Sequence, residues 1–136
     1  MNDNYKHSDI MSKIIKAYYN IYNKLGFGLL EKVYENSMLI ELQKSGLCCE
    51  RQYLIIVYYD EDKVGEYFAD ILVEDSVIIE LKVAESLCQE HEAQLINYLK
   101  ATEIEVGILL NFGKEPDFKR KVFSKEFKKK ISENHK

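Results

Sequence analysis

Asp70, Glu80 and Lys82 are the residues whose types and setting point to chemistry. Glu80 and Lys82 interrupt Val77-Ile78-Ile79-Glu80-Leu81-Lys82-Val83, a run otherwise apolar enough for the inside of a sheet. Two apart on a strand, they share a face. Asp70 interrupts Tyr67-Phe68-Ala69-Asp70-Ile71-Leu72-Val73 in the same way. The link between the runs, Glu74-Asp75-Ser76, is short enough for a hairpin. A hairpin centred on Asp75 sets Asp70 opposite Glu80. Two carboxylates across a ladder repel each other, and burying ionised groups is costly unless they are paired or bind a metal. A divalent cation resolves the conflict, because Mg²⁺ is held by one or two carboxylates completed by water and substrate phosphate. Lys82, one step along that face, would stabilise charge on an attacked phosphate or help activate a water. The bland alternative is a surface salt pair of Glu80 with Lys82 and a solvated Asp70 at a sheet edge. The apolar surroundings of all three weigh against it.

The elements that must position these residues are legible from periodicity. Ile10, Ile14, Ala17, Tyr18 and Ile21 recur at helical steps, and Gly26-Phe27-Gly28 breaks the pattern. A second helix follows, with Leu29, Leu30, Val33, Tyr34, Met38, Leu39 and Leu42 as its apolar set, ending near Ser45-Gly46. Tyr53 to Tyr59 reads as a strand, and Glu66 to Val73 and Val77 to Val83 as two more. A helix spans about Leu87 to Thr102, and Glu105 to Phe112 is a fourth, almost wholly apolar strand. The helical crossover makes the third and fourth strands parallel neighbours or near neighbours. Asp117 can cap a last helix running to about Ile131. The expectation is an α/β fold with a mixed four-stranded sheet flanked by helices, in one domain over residues 1–136.

The 136 residues, 46% hydrophobic and 31% charged, suit one ordinary globular domain. No apolar run is long enough to span a bilayer, and the polar start does not look like a signal peptide. Cys48, Cys49 and Cys88 lack zinc-site spacing and are expected to be free thiols in a reducing cytoplasm. Net charge is −4, yet Lys114 to Lys130 holds eight bases against three acids. Lys119, Arg120, Lys121, Lys128, Lys129 and Lys130 would let the expected last helix track a phosphate backbone. The alternative is a solvated amphipathic helix.

An aspartate on one strand and Glu-x-Lys on the next resembles the PD-(D/E)XK nuclease superfamily. Gly28-Leu29-Leu30-Glu31-Lys32-Val33-Tyr34 matches G-x-x-E-x-x-Y, the signature of the GxxExxY proteins within it. The likeness continues through Tyr67 to Asp70, Glu80 to Lys82, His91 to Thr102 and Val106 to Gly113, and it covers roughly Ile10 to Phe123. The superfamily core is α-β-β-β-α-β, the order read above. Ala69 stands where the motif has proline, which removes no ligand.

The resemblance implies that Asp70 and Glu80 bind Mg²⁺ or Mn²⁺, that Glu31 completes the site with Glu35 as a substitute, and that Lys82 is the catalytic lysine. Gln94 and Tyr98 match a Q-x-x-x-Y motif that orients substrate and site, four apart on one helix face. His91 joins that stripe, although a polar residue at a helix start is the simpler reading. Gln94 has the alternative of a buried structural amide, and Tyr34 and Tyr98 that of core aromatics. Gln52, just before the first strand as read here, gives too weak a signal to use. The implied activity is metal-dependent hydrolysis of nucleic-acid phosphodiesters, with DNA ahead of RNA. The alternative is a binding or regulatory module that does not cleave. Cutting both strands of a duplex with one small site leaves a homodimer open.

Overall fold

The computed structural model describes residues 7–124 and residue 126. The chain runs α1 (Ser8–Leu25), α2 (Glu31–Lys44), β1 (Cys49–Tyr59), β2 (Asp62–Val73), β3 (Val77–Lys82), α3 (Gln89–Lys100), β4 (Val106–Asn111) and β5 (Asp117–Val122). The strands form one sheet in the order β1-β2-β3-β4-β5. Only β3 and β4 are parallel, as a helical crossover requires.

The helices cover both faces. α1 and α2 lay Ile14, Tyr18, Ile21, Met38 and Leu42 against Ile71, Ile79, Leu81, Ile108 and Leu110. α3 lays Leu95 and Leu99 against Leu72, Ile78 and Leu109 on the other face. Covered on both sides, β3 and β4 read as near-continuous apolar runs. The second helix differs from the expected pattern at its start. Leu30 is 79% exposed, and Leu29 and Val33 are exposed as well, while Tyr34, Glu35, Met38, Leu39 and Leu42 form the buried stripe.

The α/β class and flanking helices are as expected, but the sheet has a fifth strand. Residues 117–122, expected to open a basic helix running to about 131, form β5 instead. Phe118 and Val122 pack toward α1 and α2, while Lys119 and Lys121 lie on the α3 face, opposite Leu109 and Gly107. That is a period of two, not 3.6. The cause is β4, whose buried outer edge needs a hydrogen-bonding partner. Lys128, Lys129 and Lys130 lie outside the described residues.

Candidate metal and phosphate site

The β2–β3 ladder pairs Ile71 with Ile79, Leu72 with Ile78 and Val73 with Val77, the register of a hairpin centred on Asp75. The ladder stops there, and Asp70 and Glu80 stand just beyond its last rung. Their carboxylates replace the missing rungs. Asp70 N–H donates to Glu80 Oε1 at 2.8 Å, and Leu81 N–H donates to Asp70 Oδ2 at 2.7 Å. This reciprocal clasp satisfies backbone groups that the parted strands would otherwise leave unpaired. It also commits one oxygen of each carboxylate to the protein.

On the other side of Asp70 the β1–β2 ladder also breaks. Arg51 pairs with Ile71 and Tyr53 with Ala69, but the pair between them, Gln52 with Asp70, is missing. Gln52 has φ 51°. Among the described residues it is the one non-glycine residue within a strand that adopts the left-handed region, a conformation costing about 1–2 kcal/mol. Its side chain donates to Glu35 Oε1 at 2.6 Å. Residue type marks this strand only from Tyr53, whereas β1 starts at Cys49 and includes Gln52. A polar residue in a β-rich stretch leaves no trace of a twisted backbone.

α2 brings two more acids. Glu35 is buried and accepts from Lys32 Nζ at 2.8 Å on Oε2. Glu31, one turn earlier, is exposed at the helix start. The Gly-x-x-Glu-x-x-Tyr spacing has a physical meaning here. The buried Tyr34 hydroxyl donates to Gly26 O at 2.7 Å and accepts from Leu29 N–H at 3.3 Å. Its ring stacks on Phe112 at 4.2 Å. Gly28, at φ 99°, supplies the turn that such a loop needs. Tyr34 thereby fixes the loop that launches Glu31.

Lys82 lies on the face of Glu80, and its Nζ donates to Gln94 Oε1 at 2.8 Å. Gln94 Nε2 in turn donates to the Tyr98 hydroxyl at 3.0 Å. Among the described residues no ion pair joins Lys82 to Asp70 or Glu80. Asn111, fully buried, holds the loop that leaves Lys82. Its amide accepts from Ala84 N–H at 3.0 Å and donates to Ala84 O at 2.9 Å. Gly113 permits this closeness, because a Cβ there would fall 1.9 Å from Ala84 O.

The electrostatics follow from burial. Glu80, 4% exposed, is pushed up to about 8, first by burial and then by the Asp70 charge, against its bond from Asp70 N–H and the Lys82 charge. Burial also raises Asp70, opposed by the Leu81 N–H, and Glu35 raises it further. Glu31, exposed as a residue, is raised by partial burial of its carboxyl and then by Asp70. Burial, followed by Glu80 and Asp70, lifts Tyr98 to about 12.

Other candidates fall elsewhere. His91 Nδ1 accepts from Cys88 N–H at 3.2 Å, so it caps α3. Lys121 ion-pairs with Glu92 of α3. Arg120 pairs with Ile108 and lies on the opposite face from Lys119 and Lys121, so the three do not form one basic stripe. Cys48, Cys49 and Cys88 are free.

Asp70 and Glu80 offer hard oxygen donors that suit Mg²⁺ or Mn²⁺. Among the described residues, no group of three histidines, cysteines or carboxylates is preassembled for a metal. The fit is therefore to a two-carboxylate site completed by water and substrate. No helix among the described residues is long and apolar enough to cross a membrane.

The sequence profile of a family described as "PD-(D/E)XK nuclease superfamily" matches residues 8–122. A search of curated proteins found no match. Among solved structures, the chain is similar to the one titled "Crystal structure of SSO0001", with a TM-score of 0.52 and 17% identity. The match covers 97% of this chain and 67% of that one, and at this identity it shows the fold alone.

Proposed function

Because the chain belongs to the PD-(D/E)XK nuclease superfamily, we propose that it is a metal-dependent nuclease hydrolysing phosphodiester bonds of nucleic acid, DNA ahead of RNA. The observation that carries this reading is the Asp70–Glu80 clasp with Lys82 held beside it by Gln94 rather than neutralising it. A buried Glu80 beside a half-buried Asp70, left without a paired cation, is an arrangement that favours a divalent ion.

Asp70 and Glu80, with Glu31, would hold Mg²⁺ or Mn²⁺. When bound, the ion supplies charge neutralisation at the phosphate and a more acidic water. Lys82 presents its ammonium to the attacked phosphate. Gln94 accepts a hydrogen bond from it and so sets the direction of the remaining N–H groups, and Tyr98 steadies Gln94. Lys119 and Lys121, which share the α3 face, are assigned to the phosphate backbone with Lys128, Lys129 and Lys130, while Arg120 on the opposite face is not. The lock of Tyr34 on the Gly26–Leu29 loop supports placement among the GxxExxY proteins. The free thiols fit a reducing cytoplasm, and a duplex cut would call on two copies of the chain.

The test is a cleavage panel of single-stranded, duplex and branched DNA and of RNA, with Mg²⁺ or Mn²⁺, beside Lys82→Ala. Cleavage that needs metal and is lost in the variant is expected. Metal-independent binding without cleavage of any substrate would move the protein to a non-cleaving, nucleic-acid-binding role.

A further inference from the structure

The β1–β2 hairpin changes face at Gln52 and Asp70. Cys49 and its partner Val73 pack with the core under α1 and α2. Tyr53, Ile55 and Ala69, each an even number of residues away along its strand, pack with the α3 core instead. Regular alternation would keep them on the first face. The missing Gln52–Asp70 pair and the left-handed Gln52 backbone lie at the changeover. Its consequence falls on Tyr67 and Phe68. Alternation from Leu72 would bring Phe68 to the α3 face, but it is Tyr67 whose ring lies 5.8 Å from that of Tyr98. The Tyr67 ring is also laid along β2 over Gly65, where an added Cβ would sit 3.5 Å from its Cε2. Held on two sides, Tyr67 is still 48% exposed.

This exposed ring continues the line of contacts that ends at Lys82. Lys82 Nζ donates to Gln94 Oε1, and Gln94 Nε2 to the hydroxyl of Tyr98, against which Tyr67 leans. Tyr67 is three residues from Asp70, about 10 Å along a strand. The arm beyond it is acidic, because Lys63 ion-pairs with Glu66 and leaves Asp60, Glu61 and Asp62 exposed at the tip. A second phosphate backbone laid along that arm would be repelled. A single strand can keep its phosphates toward Lys82 and turn one base onto Tyr67, whereas the bases of a duplex already have their faces stacked on each other. We propose that Tyr67 is a stacking platform for an unpaired nucleobase, which makes single-stranded nucleic acid the preferred substrate over duplex. This rests on the nuclease reading above and names the substrate of that same site. Stacking takes any base, because every base has a π-face, so strandedness and not sequence is what Tyr67 selects. A ring already fixed by Tyr98 and Gly65 loses little freedom when the base arrives.

The experiment measures Mn²⁺-dependent cleavage by full-length wild type, Tyr67→Phe and Tyr67→Leu. Phenylalanine keeps the aromatic face, and leucine keeps an apolar side chain without one. The substrates are single strands of DNA and of RNA, which tell the two sources of an unpaired base apart, the same strands with one base removed and every phosphate kept, and a DNA duplex. The expected result is a kcat/KM on single strands well above that on duplex, lowered by roughly 5–150-fold in Tyr67→Leu and little changed in Tyr67→Phe. Removing the base that stacks should cost wild type a similar factor and Tyr67→Leu nothing further. Equal losses on single strand and duplex in Tyr67→Leu, with the abasic strands discriminated as by wild type, would mark a scaffold residue and overturn the assignment. So would a wild type that cuts duplex ahead of single strands. If wild type cuts nothing, the nuclease reading fails and carries this assignment with it. If wild type cuts and Tyr67→Leu cuts every substrate equally well, only the assignment fails.

Discussion

Replacing Glu80 by Gln separates a metal site from an ion-pair network by the way stability varies with pH. Glu80 is buried, its Oε1 accepts from Asp70 N–H, and burial with the Asp70 charge pushes its carboxyl from 4.5 up to about 8. At pH 7 without metal it is roughly nine-tenths protonated, and thus close in shape and charge to glutamine. The amide oxygen can keep the bond to Asp70 N–H, so Glu80→Gln should cost little there. A carboxyl whose folded pKa lies above its unfolded value keeps its proton longer in the fold. Below about 4.5 both states are protonated, and nothing is lost. As pH climbs from there toward 8 the unfolded chain ionises first, and folding stability falls. Glutamine does not titrate. The gap between variant and wild type should therefore shift in favour of the variant by on the order of 2 kcal/mol between pH 5 and pH 7. For a chain of this length that is roughly 6–8 °C in melting temperature.

Metal reverses the order. Mn²⁺ at a hundred times its dissociation constant should stabilise wild type by about 2.7 kcal/mol and the variant far less. Melts of both proteins at pH 5, 6, 7 and 8, with and without Mn²⁺, give all four comparisons. A variant that trails wild type by the same margin at every pH, with no Mn²⁺ response in wild type, would falsify the reasoning. It would mean that Glu80 is charged in the fold and paired with Lys82.

Lys82→Ala should abolish cleavage and keep the Mn²⁺-dependent rise in melting temperature, because Lys82 is bonded to Gln94 and not to the acids; loss of that rise would count against its separate role. Tyr34→Phe removes the bonds to Gly26 O and Leu29 N–H and should destabilise by about 1–3 kcal/mol. It should also weaken Mn²⁺ binding by loosening the start of α2, which calorimetry at fixed pH can check. Changing Lys128, Lys129 and Lys130 together to Gln should weaken nucleic-acid binding and reduce the slope of affinity against salt by as much as about 0.9 per lost phosphate contact. Identical slopes in a fluorescence-anisotropy salt titration would remove those lysines from the interface.

The parts of this fold that were legible in the sequence are those governed by burial. β3 and β4 are covered on both faces, so their apolar runs announce them. Against such a run, Glu80 and Lys82 stand out because charge there is costly. The hairpin register followed from the shortness of the turn at Glu74-Asp75-Ser76, and it carried Asp70 to its place. β5 was hidden because its alternation is Phe118, Lys119, Arg120, Lys121, Val122, in which a third base occupies a position on the apolar face. Three bases in a row look like a solvated helix until β4 is known to need an edge partner.

Gln52 was hidden for a different reason. Its bond to Glu35 comes with a backbone conformation that glutamine seldom adopts, and residue type signals a left-handed turn only when it is glycine, asparagine or aspartate. The same logic explains why Glu31 and Glu35 could not be ranked from spacing. One helical turn apart, they are equivalent by periodicity. What separates them is what lies against each: Lys32 and Gln52 take up Glu35, while Tyr34 holds the loop that presents Glu31. The difference between the two acids therefore comes from partners in α2 itself and in β1, the strand whose twist the sequence does not show.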